Sequence, residues 1–368
     1  MNSLVALQLD FIRVGDRGLA SLRSLNRLRI LRLAETNIKD EGLGHLASLR
    51  NLEVLVLSGT PVSDGGLIHL GRCVSLRAID LSRTAVGGDG IRHLARLDHL
   101  RRLDLWESPL TDAGFAALGE LHQLRSVSLS GARAKGTSLR HLARLKRLEE
   151  LRLGHVSDDA LRWLPESPQL RSLSLGHGIT NAGAERLGIL QGLTELNIEM
   201  TEITDAGMRH VGRMTSLRSL RLPPTITDDG LAHLTPLTVL RDLDVGSVSA
   251  APSRITDTGL ALISRLHRLE SVSIRTDSIT DAGLAELRRL KHLRRLHLAS
   301  RSITDEGLSH LAALPALEKL SIIAERISDA GLRHLEKSRR LREVHMRSAQ
   351  DLTSGLGRLA RRGIRTSD

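Results

Sequence analysis

The pattern LxxLxL, with Val, Ile or Met in place of some leucines, occurs fifteen times along the chain, opening at Leu4, Leu28, Leu52, Leu76, Leu100, Leu124, Leu148, Leu170, Leu193, Leu217, Leu240, Leu269, Leu293, Leu317 and Leu341. A spacing held near 24 residues predicts stacked units rather than a globule with one centre. Polarity changes rhythm within each period. Leu52, Leu55 and Leu57 predict a short strand whose Val56 points away from the buried leucines. The turn Thr60-Pro61-Val62-Ser63-Asp64-Gly65-Gly66 closes on a helix N-cap signature, where Ser63 or Asp64 can accept from free amides. Leu67 and Leu70 then recur at threes, as on a one-faced α- or 3₁₀-helix.

Stacked strands lie about 4.8 Å apart, and helices need more room than strands, so the stack must bend. The predicted fold class is α/β: a curved solenoid of about fifteen repeats, a horseshoe with a parallel sheet on the concave face and short helices on the convex face. No linker or low-complexity run interrupts it, which predicts a single domain over residues 1–368. Leu356, Leu359 and Ile364 supply a C-terminal cap at about 350–368, and no distinct N-terminal cap is expected. Glycine fills the helix-start column in thirteen of fifteen units, and Asp stands two residues earlier in eleven. Such regularity reads as architecture: glycine for close approach of neighbouring turns, Asp for capping.

Motifs such as Ile203-Thr204-Asp205-Ala206-Gly207, Ile279-Thr280-Asp281-Ala282-Gly283-Leu284 and Ile303-Thr304-Asp305-Glu306-Gly307-Leu308 resemble the leucine-rich-repeat family, in its ribonuclease-inhibitor-like class, over residues 4 to 359. They look like the form found in F-box-associated repeats and many bacterial repeat proteins. The resemblance implies a curved parallel sheet and macromolecular recognition on its concave side. Thr36, Thr60, Thr84, Thr201 and Thr225 stand where many members carry Asn. Leu4 already belongs to the first repeat, so no F-box is expected ahead of it, which weakens a ubiquitin-ligase adaptor role.

Composition narrows the options. The one cysteine, Cys73, replaces a column leucine and reads as a small buried hydrophobe; with no long apolar run, a cytoplasmic protein without a membrane span is expected. The net charge of +11 comes from 47 Arg and 6 Lys against 42 acids. Many arginines follow the first leucine of a repeat, forming an edge ladder interrupted by Glu53, Glu149, Glu270 and Glu318. Charge also concentrates at Arg288, Arg289, Lys291 and Arg294, then near residues 337–342 and 358–365. With no Tyr, two Phe and two Trp, no aromatic platform for bases exists, and nucleic acid is a disfavoured partner. Half of the sixteen histidines recur three residues after the glycine column. His155 and His177, at equivalent positions of adjacent repeats, are about 5 Å apart by strand spacing, with Glu199 a conceivable third metal ligand, yet no metal or cofactor is expected. Neither a GxSxG, a GxxxxGK nor an HExxH motif is present, and no enzymatic activity is expected.

Recognition is sought in the variable residue between the last two strand leucines and just beyond it. Asp80, Asp104, Trp106 and Glu107 form an acidic patch with an aromatic centre; Arg152, Asn197, Arg221 and Asp244 follow. Arg275, Arg295, His297, His345 and Arg347 make the C-terminal part basic. A second candidate is the lengthened loop Gly246-Ser247-Val248-Ser249-Ala250-Ala251-Pro252-Ser253-Arg254. Apolar Val5, Phe11 and Ile12 at the uncapped beginning raise self-association. The expected function is a non-catalytic scaffold that binds a partner protein; the alternatives are an F-box-like adaptor and an anion-binding basic end.

Overall fold

The computed structural model describes residues 3–133, 137–166, 169–246 and 252–367. They form two compact units, residues 1–178 and 179–368. The first carries β1 (Ala6–Gln8), β2 (Ile30–Arg32), β3 (Val54–Val56), β4 (Ala78–Asp80), β5 (Arg102–Asp104), β6 (Ser126–Arg133), β7 (Glu150–His155) and β8 (Ser172–Leu175). The second carries β9 (Glu195–Asn197), β10 (Ser219–Leu222), β11 (Asp242–Val245), β12 (Ser271–Arg275), β13 (Arg295–Ala299), β14 (Lys319–Ile323), β15 (Glu343–Arg347) and β16 (Arg365–Ser367). Inside each unit the strands pair in parallel and in chain order. The register sets each repeat's apolar strand residues against their counterparts, as Leu55 against Ile79 and Val272 against Leu296.

From Leu28 onward the leucines that set the period are the core, whereas Leu4 is 38% exposed. Leu52, Leu55, Leu57, Leu67 and Leu70 are all fully buried. Each contributes about 1.5–3 kcal/mol by leaving water. Cys73 is 3% exposed, and burial pushes its thiol up to about 11, so it packs as a hydrophobe. Native protein is therefore expected to react with a thiol reagent only after denaturant is added; stoichiometric labelling at pH 8 without denaturant would contradict this placement. The threonines in the usual Asn column turn inward. Thr36, Thr60, Thr84 and Thr201 each donate to a carbonyl three residues back, at 2.6–2.7 Å, which satisfies a backbone acceptor where the chain leaves the strand.

The Thr-Asp-x-Gly turn works as a staple between repeats, and it corrects the expectation that Asp caps its own helix. Thr or Ser is the cap: Thr280 Oγ1 accepts from Ala282 N, and Thr304 Oγ1 from Glu306 N. The aspartate reaches forward. Asp257 accepts from the amide of Thr280 at 2.8 Å and from its hydroxyl at 2.6 Å, and Asp205, Asp228, Asp281 and Asp305 repeat this with Thr227, Thr256, Thr304 and Ser328. The carboxylate then occupies the space a side chain would need. A Cβ on Gly283 would lie 2.2 Å from Asp257 Oδ1 and 3.1 Å from its Cα. Where the preceding repeat carries the aspartate, glycine in this column thus makes room for it. Ser138, one of the two exceptions, fits by donating its own hydroxyl to Asp112 at 2.5 Å.

At the C-terminal end, the helix Thr353–Arg361 buries Leu356 and Leu359, and β16 adds one strand beyond the fifteen expected. Glu343 there accepts from Lys319 Nζ at 2.6 Å and from His345 Nε2 at 2.7 Å. These two hydrogen bonds, Lys319 first, pull its carboxyl down to about 2 from an ordinary 4.5. A lowered folded-state value means stabilisation that is present above about 4.5 and disappears as pH falls from there through about 2. Urea midpoints of the wild type and Glu343→Gln are accordingly expected to differ at pH 6 and to converge as pH approaches 2. A difference unchanged across that range would contradict the assignment.

Candidate partner-binding surface

In the first unit, the side chains that the strands turn away from the leucine core form three columns. The column at the strand start is apolar over four repeats, Ala6, Ile30, Val54 and Ala78, and then switches to Arg102. Ile30 is 38% exposed. This strip was not among the sequence candidates; its signal is the run of aliphatic residues at one strand position, which in the second to fourth repeats follows the charged Arg29, Glu53 and Arg77.

Next to the strip, Asp80 and Asp104 are direct register partners on β4 and β5. Asp80 Oδ1 accepts from the amide and hydroxyl of Ser82, and Asp104 Oδ1 accepts from the amide of Trp106 at 2.9 Å. Burial, joined by the negative charge of Asp80, raises the Asp104 carboxyl above its ordinary range; the Trp106 amide pulls the other way and does not prevail. Like charges placed directly opposite cost about 0.2–1 kcal/mol. Trp106 is 41% exposed, at the position where the preceding repeat has the buried Ser82.

The backbone also turns sharply here. Phe11, Glu35, Gly59, Arg83 and Glu107 occupy one column, and all five have left-handed φ between 54° and 68°. Only Gly59 adopts that conformation freely, and a Cβ on it would strike the Glu35 carboxyl at 2.4–2.9 Å. Glu35 therefore reaches across Gly59 to Arg83 at 2.8 Å, and Arg83 contacts Glu107 at 3.5 Å. Glu107 is part of this bridge rather than a free acid. Arg152 is held by Glu150 at 2.6 Å, the acid that also takes the hydroxyl of Ser126.

The second unit places Asn197 beside Arg221, and Arg221 beside Asp244. His297 follows two strands after Asp244, and His345 two strands after His297, separated by Ser273 and Ser321. Arg295 reaches over β12 to Asp242 at 3.0 Å, and His345 contacts Glu343 and Ser367. Arg275 and Arg347 end β12 and β15, both exposed, with Ala299 and Ile323 at the intervening positions. The acidic patch of Asp80, Asp104 and Glu107 thus falls in the first unit, with Arg152 the basic candidate there, and Arg275, Arg295 and Arg347 fall in the second, with Asp244 the acidic one. Burial and the carboxylate of Asp244 act oppositely on His297, and burial prevails, so its value lies below the usual range for histidine.

His155 and His177 stack with ring centroids 5.2 Å apart, as strand spacing predicts. Among the described residues, no three His, Cys, Asp or Glu side chains are grouped to hold a metal. No helix among them is long and apolar enough to cross a membrane. Residues 247–251 of the lengthened loop lie outside the described residues.

A family model described as a leucine-rich repeat region matches residues 1–234, and a second leucine-rich-repeat model matches 289–312. The chain belongs to the leucine-rich-repeat family. Among solved structures, this repeat protein is similar to an internalin, InlF, of Listeria monocytogenes, with a TM-score of 0.51 and 20% identity over 93% of this chain and 87% of that one. A leucine-rich-repeat protein of Leptospira interrogans gives 0.56 and 15% over 100% and 90%. The chain in a TLR13–ssRNA13 complex gives 0.67 and 19% over 100% of this chain and 56% of that one. Identities this low establish the repeat fold alone. No match was found among curated proteins.

Proposed function

We propose that this leucine-rich-repeat protein is a non-catalytic scaffold that binds a protein partner through the strand face of residues 1–178. The observation that carries this reading is the half-buried pair Asp80 and Asp104, kept in direct register at a cost to stability beside an exposed tryptophan. An incoming Lys or Arg would relieve the repulsion and neutralise Asp104, and Trp106 would bury its ring against the same segment. The strip of Ile30, Val54 and Ala78 offers that segment an apolar seat. The partner is thus a segment that mixes basic and apolar side chains. Capture from native lysate, compared between the wild type and Trp106→Ala, tests the reading; equal capture of every binding protein by both would overturn it.

A further inference from the structure

Part of the positive charge that the strand face leaves unexplained lies on the edge of the second unit where the chain enters its strands. Arg241, Glu270 and Arg294 sit side by side there: the Glu270 amide donates to the Arg241 carbonyl at 2.7 Å, and the Arg294 amide to the Glu270 carbonyl at 2.8 Å. Glu270 neutralises Arg241 at 2.8 Å, Glu318 contacts Arg294 at 3.5 Å, and Glu286 contacts Arg289 at 3.2 Å. Arg265, Arg268, Arg288 and Lys291 are exposed and have no ion-pair partner among the described residues. Arg268 also lines an open cavity of about 190 Å³ with Arg241, Glu270 and His292.

We propose that this edge, centred on Arg268 and Lys291, receives an acidic segment of a partner protein, with one carboxylate side chain entering the cavity at Arg268. Three features select a peptide over a nucleic acid. Residues 179–368 contain no Phe, Tyr or Trp, so the large aromatic platforms on which successive bases stack are missing. The acids of the edge recur between its cations, and a nucleic-acid strand carries a charge about every 3.4 Å, less than the roughly 4.8 Å between neighbouring strands, so it could not avoid Glu270 and Glu318. An extended peptide presents alternate side chains about 6.6 Å apart and can place carboxylates at the unpaired cations while passing over the glutamates. Arginine can hold this ligand, as it could a phosphate, because its planar fork donates to a carboxylate at two points, as Arg29 already does to Glu53 at 2.9 Å for both bonds.

The test is fluorescence anisotropy with the full chain and a fluorescein-labelled twelve-residue peptide, glutamate alternating with serine, with a 20-base-pair DNA duplex as the second probe. In the double variant Arg268→Glu/Lys291→Glu, the peptide affinity is expected to fall at least tenfold. Arg27→Glu/Arg50→Glu makes the same change in net charge on the other unit and is expected to change it less than twofold. Circular dichroism of both variants would verify folding. Asp104→Arg is expected to leave peptide binding intact, which separates this surface from the strand face. Equal losses in the two double variants would reduce the effect to net charge and sink the proposal. So would tighter binding of the duplex than of the peptide, or no peptide binding at millimolar concentration.

Discussion

Gly283→Ala is expected to destabilise the second unit by about 2–4 kcal/mol, measured as a drop in the urea midpoint at constant m. Two costs combine. The added Cβ would lie 2.2 Å from Asp257 Oδ1 and 2.8 Å from Asp257 Cγ, an overpacking that costs about 1–3 kcal/mol. Moving that carboxylate aside also strains or breaks its bonds to the Thr280 amide and hydroxyl, worth about 0.5–1.5 kcal/mol each. Asp257→Ala alone loses those two bonds but opens the space. In Asp257→Ala/Gly283→Ala the second substitution should therefore cost less than it does alone, with a coupling of about 1 kcal/mol. It is not expected to be free, because the Asp257 Cα remains 3.1 Å from the new methyl. Strict additivity in this double-mutant cycle would show that the glycine column answers to something other than the aspartate.

That coupling marks where sequence reading succeeds and where it stops. The repeat, the strand and the short helix follow from the spacing of leucines, because burial on one face has to recur with the geometry of the element that carries it. Cys73 is legible for the same reason: it is a substitution within a known column. The Thr-Asp-x-Gly turn is visible as a motif, but its bonds run to the neighbouring repeat. A motif read inside its own period assigns the aspartate to its own helix; stacking assigns it to the next threonine. The edge arginines show the same limit. They look like a charged ladder in sequence, and only lateral pairing shows that Glu53, Glu149, Glu270 and Glu318 each face an arginine. The candidate surface is legible as a variable column that includes Asp80 and Asp104. Its apolar strip is not, because Ile30 and Val54 look like ordinary strand residues until neighbouring strands line them up.

Trp106→Ala is expected to weaken partner binding by about 2–4 kcal/mol, some thirtyfold or more, with little change in stability, since a ring 41% exposed contributes little to the core. Asp104→Asn should separate binding from stability even more clearly. Because burial and Asp80 hold the Asp104 carboxyl above its ordinary value, this residue favours the folded state below the unfolded pKa of about 3.8 and that advantage is lost as pH rises through the raised folded value. At neutral pH the ionised pair is therefore a cost. Asparagine removes the charge and keeps an oxygen to accept from the Trp106 amide, so the variant should be more stable by about 0.5 kcal/mol. It should also bind its partner less tightly, having lost the charge that a Lys or Arg would meet. The stability gain should shrink as pH falls and Asp104 takes up its proton. A residue placed only for packing would not give opposite signs for folding and binding. If Asp104→Asn lowers stability at pH 7, or leaves the affinity unchanged, the acidic pair is architecture and the strand face of this unit is not the partner's seat.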